Sequence, residues 1–141
     1  MAEALQVDLV SPEKVIFSGE ANMVITRTLG GGEIAFQAGH APFVAALVEN
    51  HTRIFLTDGT IQDVAVHRGF VEVSGNPSRV SILSDVAELS DEIDVDRAKE
   101  ALERHELTLK QEHDEAVLTE AVAGKARAQA RLTTTGTGFT A

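Results

Sequence analysis

The sequence predicts a β + α protein: an N-terminal antiparallel β-sandwich of about eight to ten strands, then a C-terminal antiparallel two-helix hairpin. Three observations carry this. Before Glu88, apolar residues alternate with polar ones, as in Leu5, Val7 and Leu9, and turn residues interrupt the chain at short intervals. A period of two puts alternate side chains on one face of a pleated strand. After Glu88, apolar residues recur every three or four positions and Gly and Pro nearly vanish, the period of an amphipathic helix. The seam, Glu88 to Arg104, also holds the densest mixture of carboxylates and guanidinium groups in the chain. The expected organisation is a sandwich over 1–88, a hairpin over 89–132 and a disordered tail over 133–141.

Taken in order, the first strand carries Leu5, Val7 and Leu9 and stops at Ser11-Pro12. Val15-Ile16-Phe17 and residues 20–28 read as two strands separated at Gly19. Gly30-Gly31-Gly32-Glu33 turns the chain into Ile34-Ala35-Phe36, and Gln37 to Pro42 forms the next turn. Phe43 to Val48 is apolar throughout, which predicts a strand buried on both faces. Thr52 to Thr57 and Thr60 to His67 flank Asp58-Gly59, a pair suited to a two-residue hairpin turn with positive φ at both positions. Phe70 to Val73, the Gly75-Asn76-Pro77 turn and Arg79 to Leu83 close the series.

In the helical part Asp91, Glu92, Asp94 and Asp96 crowd the first helix start, where carboxylates complement the helix dipole. Ala98, Ala101, Leu102, His105 and Leu109 share one face, and Asp114 is placed to cap a second helix. Val117, Ala121, Gly124, Ala128 and Leu132 form the stripe of that helix, with Leu118 and Val122 beside it. A short link forces antiparallel packing, which returns Arg127 and Arg131 to the neighbourhood of Asp94 and Arg97. The stripe is mostly Ala, and Gly124 costs about 1 kcal/mol relative to Ala in mid-helix. A marginally held hairpin follows, one able to detach; the alternative is a hairpin that docks on the sandwich and stays there.

Composition excludes several classes. The chain has 141 residues, a net charge of −10, and neither Cys, Trp nor Tyr. Such an acidic chain is a poor nucleic-acid partner, and the lack of Cys removes disulfide and thiolate chemistry. Its longest apolar run is far short of the roughly 20 residues a spanning helix needs, and its start lacks the basic and apolar regions of a signal peptide, so an intracellular, soluble protein is expected. Gly30 to Gly32 is followed by no Lys-Ser/Thr and reads as a turn, not a phosphate loop. The five histidines lack metal-ligand spacing, and no nucleophile signature accompanies His40. Asp94 and Asp96, at i and i+2, point apart on a helix, which argues against a hydrolase with paired carboxylates.

Several short elements in a fixed order resemble the epsilon subunit of the bacterial rotary ATP synthase. They are Val10-Ser11-Pro12-Glu13, Phe17-Ser18-Gly19-Glu20-Ala21, Gly32-Glu33 with Gly39-His40-Ala41-Pro42, and Gly69-Phe70-Val71-Glu72-Val73. In the helical part Ile93-Asp94-Val95-Asp96-Arg97-Ala98 matches the I-D-x-x-R-A element of family members that bind ATP. Arg68 stands where the family usually has Gly, and no second Gly follows Glu33. The resemblance implies a non-catalytic rotor subunit on the cytoplasmic face of the cell membrane, held there only through its complex. Its sandwich would clamp the gamma shaft and rest on the ring of c subunits, with Glu33 and His40 at that contact. Its hairpin would either lie folded or extend toward the catalytic alpha/beta head and block ATP hydrolysis, Lys125, Arg127 and Arg131 meeting acidic surface there. No cofactor is required; ATP is implied as a regulatory ligand at Glu88, Ile93, Asp94, Arg97, Arg104, Arg127 and Arg131. The alternative is a free-standing, ATP-responsive β-sandwich that binds a ligand and needs no shaft.

Overall fold

In the computed structural model the described residues are 3–75 and 77–136. Seven strands come first: β1 (Leu5–Val10), β2 (Val15–Thr28), β3 (Gly32–Phe36), β4 (Phe43–Leu47), β5 (Asn50–Leu56), β6 (Ile61–Gly75) and β7 (Ser78–Leu89). A short 3-10 turn, Ser90–Glu92, leads to α1 (Val95–Gln111) and α2 (Glu115–Thr134). The β-sandwich and the two-helix hairpin predicted from periodicity are both present. The strands are fewer and longer than the expected eight to ten because two interruptions are bends within strands. β2 runs through Gly19, and β6 joins the two expected segments around Arg68-Gly69.

That second bend changes the strand's neighbours. β6 pairs with β5 through Ile61 to Val66 and with β4 through Gly69 to Val73. Arg68 at φ 63° and Gly69 at φ 133° turn the backbone between the two pairings. The resemblance places Gly where Arg68 stands, and the left-handed φ explains that preference: a side chain there costs about 1–2 kcal/mol.

Most pairings are antiparallel, but β1 and β7 run parallel, Val7 opposite Val80. With β1–β2, β2–β5, β5–β6 and β6–β7 also paired, the hydrogen bonding closes on itself around one core. Leu5, Val7, Leu9, Val24, Phe36, Ile54, Val64, Val71, Val80 and Ile82 fill it. The alternation that predicts β1 is seen directly: Leu5, Val7 and Leu9 are buried and their neighbours are not.

Two local expectations are corrected. β4 is not buried on both faces: Val44 is 67% exposed, because β4 covers only the flank of the sandwich. The Asp58-Gly59 hairpin is not a two-residue turn. Its loop spans residues 57–60, closed by Leu56 N–H donating to Thr60 O at 2.9 Å. Asp58 instead turns its carboxylate onto Thr60 N and Oγ1, and among the described residues only Gly59 of the pair has positive φ.

The helices begin where their caps predict. Asp94 accepts from Arg97 N at 3.1 Å, and Asp114 accepts from Ala116 N and Val117 N. α2 continues through Thr133 and Thr134, so the expected disordered tail does not start at 133; residues 137–141 lie outside the described residues. The expected α2 stripe is present except at its first residue and its flank. Ala121, Gly124, Ala128 and Leu132 are buried, whereas Val117 and Val122 are exposed. α2 lies between α1 on one side and β5 and β6 on the other, which puts the hairpin against the sandwich. The helices pack closely at Gly124, where an added Cβ would run into the His105 ring. The mid-helix glycine thus makes room for the α1 histidine.

Candidate functional site

Antiparallel packing of α1 on α2, with Glu88 at the end of β7 beneath them, leaves a cleft of about 350 Å³. Glu88, Asp94, Arg97, Arg104, Arg127 and Arg131 line it, six of the seven residues singled out in the hairpin region, together with Glu92, His105 and Gly124. Ile93 does not line the cleft; it is buried beside the start of α1.

The charge of the cleft runs against that of the chain. Four guanidinium groups face three carboxylates there, in a protein of net charge −10. Some of that charge is already paired. Arg131 Nε donates to Glu88 Oε1 at 2.6 Å, and Arg127 Nη2 reaches Glu120 Oε1 at 3.3 Å on the rim. Arg97 and Arg104 are exposed and take part in none of the ion pairs among the described residues. His105 reports the resulting field: burial first, then the nearby Arg104 and Arg127 charges, hold its pKa below the ordinary value. Uncommitted guanidinium forks suit a ligand that carries several negative oxygens, since each fork offers two parallel N–H donors. The volume falls in the range of small-ligand sites.

The carboxylates have less freedom than their sequence positions imply. Asp94 Oδ1 is spent on the α1 cap. Glu88 Oε1 accepts from Arg131 and lies 2.8 Å from His67 Nε2. These contacts hold the Glu88 carboxyl at about 2, the His67 bond contributing most and Arg131 next among the causes that lower it. Glu88 Oε1 is thereby a fixed wall anion that orients Arg131.

Sequence reasoning missed His67 and Glu49. His67 Nδ1 lies 2.7 Å from Glu49 Oε2, and the ring is buried. A signal existed in strand register. Glu88 pairs opposite Ala65 and His67 opposite Val86, so His67 and Glu88 are diagonal neighbours on one face. That register is a tertiary fact, which is why spacing along the chain does not reveal it.

The other two singled-out residues are not adjacent turn residues. Glu33 sits within β3, opposite Arg27 of β2, and accepts from Arg53 Nη2 at 2.8 Å with Arg27 Nη2 at 3.7 Å. His40 lies in the turn after β3, with Nδ1 2.7 Å from Ala41 O and its ring edge-on to Phe36 at 4.9 Å. Packing against Phe36, which belongs to the core, fixes that turn to the sandwich. Among the described residues no group of three His, Asp or Glu side chains is placed to hold a metal ion, and no helix is long and apolar enough to cross a membrane.

Comparison with known proteins gives a consistent result. The family model for the β-sandwich domain of the ATP synthase delta/epsilon chain matches residues 4–90. The ATP synthase epsilon chain of Streptomyces avermitilis is 40% identical over 104 residues, covering 74% of this chain and 82% of that one. That of Brevibacillus brevis is 42% identical over 111 residues, covering 79% and 82%. Among solved structures, a chain of the Euglena gracilis mitochondrial ATP synthase aligns with a TM-score of 0.81 at 23% identity, over 92% of this chain and 79% of that one. At that identity the structural match speaks to the fold alone.

Proposed function

The chain belongs to the ATP synthase epsilon-chain family, and from that premise we propose that its hairpin is an ATP-responsive brake on the assembled enzyme. Membership makes it a non-catalytic regulatory subunit of the central stalk. In the proposed reading the sandwich binds the gamma subunit and rests on the c ring, peripheral to the membrane on its cytoplasmic face. Glu33, braced by Arg53 and Arg27, and His40, braced by Phe36, offer rigid polar groups for that contact. A brake needs two positions, and the thin Ala and Gly stripe of α2 supports a docked state that can be left.

The observation that carries the ATP reading is the cleft, with Arg97 and Arg104 uncommitted beside Arg127 and Arg131. Plain pairing of helix-end charges does not call for Arg104 in the third turn of α1. A ligand that bridges α1 and α2 binds only the folded hairpin, so it stabilises that form by RT ln(1 + [L]/Kd) and holds the brake off; its depletion frees the hairpin to extend and engage it. Isothermal titration of the isolated protein tests this directly. ATP should bind, and Arg127→Ala, whose only ion-pair partner among the described residues is the Glu120 carboxylate, should weaken it by about tenfold, the cost of one charged hydrogen bond. No heat at millimolar ATP, or equal binding by the variant, ends the claim.

The brake itself is tested on enzyme recovered through a tag on this chain. Ending the chain after Leu89 removes both helices but keeps every strand. ATP hydrolysis by the recovered enzyme should rise several-fold on this deletion; an unchanged rate makes the hairpin purely structural.

A further inference from the structure

Two cationic donors from different parts of the protein meet at one oxygen. Arg131 Nε, on α2, donates to Glu88 Oε1 at 2.6 Å, and His67 Nε2, on β6, lies 2.8 Å from the same atom. The other ring nitrogen of His67 lies 2.7 Å from Glu49 Oε2. A neutral imidazole has one N–H, so both contacts are satisfied only when both nitrogens carry protons. The side chain is 3% exposed, which leaves water little room to replace either partner. The charged groups facing the ring are Glu49 from the turn before β5, Glu88 from β7 and Arg131 from α2. Glu49, His67 and Glu88 all belong to the sandwich. Arg131 alone arrives with the hairpin.

We propose that docking of the hairpin and protonation of His67 oppose one another, because docking brings the Arg131 guanidinium onto the same Glu88 Oε1 that the imidazolium binds and sets two like charges side by side, so that acid loosens α2 from the sandwich. The sign follows from which contacts survive undocking. The bonds to Glu49 and Glu88, which favour the charged ring, lie within the sandwich and persist in both states. Repulsion by the Arg131 guanidinium, which disfavours it, exists only when the hairpin is docked. The undocked sandwich therefore binds the proton more tightly. By linkage, lowering the pH draws the equilibrium toward the undocked form. In the assembled enzyme the same sign would bias the hairpin toward its braking position in acid. The inference needs no nucleotide and is tested without one, so its failure is distinct from failure of ATP binding.

The native chain has no Cys, so Glu20→Cys and Lys99→Cys place a dye pair on exposed positions of the sandwich and α1 in the otherwise full-length protein. Energy transfer is followed in nucleotide-free protein from about pH 8.5 to about pH 5.5, which spans histidine titration. The docking constant should fall about fivefold toward acid, the low end of coupling between linked sites. His67→Gln should flatten that dependence. Because a buried substitution can cost the fold, Arg131→Gln on α2 provides a second reading. NMR titration of the His67 ring should show its pKa moving upward in that variant. Docking that is independent of pH or tighter in acid overturns the proposal, as does a ring pKa that is unchanged or lower in Arg131→Gln.

Discussion

Gly69→Ala should leave little folded protein. A Cβ at Gly69 would lie 1.9 Å from Leu83 O and 2.8 Å from Ser84 Cα, both backbone atoms of the paired strand β7. Neither can swing aside as a side-chain tip could. The φ of 133° is itself a region that residues with a Cβ rarely occupy. Relief requires parting β6 from β7 where β6 changes neighbours, and with it the closure of the sandwich. The expected cost is about 4 kcal/mol or more, comparable with the whole stability of a marginal domain. Urea unfolding and soluble yield measure it. Arg68→Gly is the internal contrast: it relaxes a left-handed residue one position away and should be neutral or stabilising, by up to about 1 kcal/mol. A folded Gly69→Ala protein with an unshifted urea midpoint would show that β7 yields at this crossing.

Glu88→Gln should destabilise the protein by about 2 kcal/mol near neutral pH. The Glu88 carboxyl stands at about 2 against an ordinary 4.5, and that gap, discounted because solvent screens a partly exposed carboxylate, sets the free energy its charge contributes to folding. Gln offers a neutral oxygen to Arg131 and His67 and turns an amide toward one of them. The melting temperature should fall by about 10 °C. The pH dependence gives a sharper reading. Glu88 is depressed, so its contribution is fully present above 4.5 and is lost as pH falls through about 2. His67 is raised above its ordinary 6.5 despite burial, by its bonds to Glu49 and Glu88; its contribution is full below 6.5 and is lost as pH rises through the folded value. Together these two groups favour the folded chain most between about pH 4.5 and about pH 6.5. Glu88→Gln should remove this group's share of the acid loss, read by denaturant titration across pH. An acid limb identical to that of the native chain would move the anchoring role elsewhere.

The His67 linkage has opposite signs for two processes. Global unfolding breaks the bonds to both carboxylates, so it releases the proton and is favoured at high pH. Hairpin undocking keeps those bonds, so it takes up a proton and is favoured at low pH. One buried ring therefore stabilises the sandwich in acid while weakening its hold on the helices.

Much of this architecture can be read from local pattern alone. Alternation at Leu5, Val7 and Leu9 needs only the pleat of a strand. Asp94 and Asp114 cap their helices through bonds to residues two or three positions ahead, an interaction complete within one turn. The guanidinium set is legible for a similar reason: two helices and a short link leave only one way for Arg127 and Arg131 to return beside Arg97. Tertiary structure decided the remainder, because it depends on partners distant in the chain. Val44 is apolar yet exposed, a matter of where β4 sits and not of what it contains. The parallel β1–β7 pair joins strands from opposite ends of the sandwich, beyond the reach of any turn signal. Gly124 counts as a weak point in an isolated helix and as a fitted contact once His105 lies against it. Nothing along the chain ties Glu49 and His67 to Glu88 and Arg131. Strand register and helix docking bring them within hydrogen-bond distance, and low exposure then makes their protonation matter.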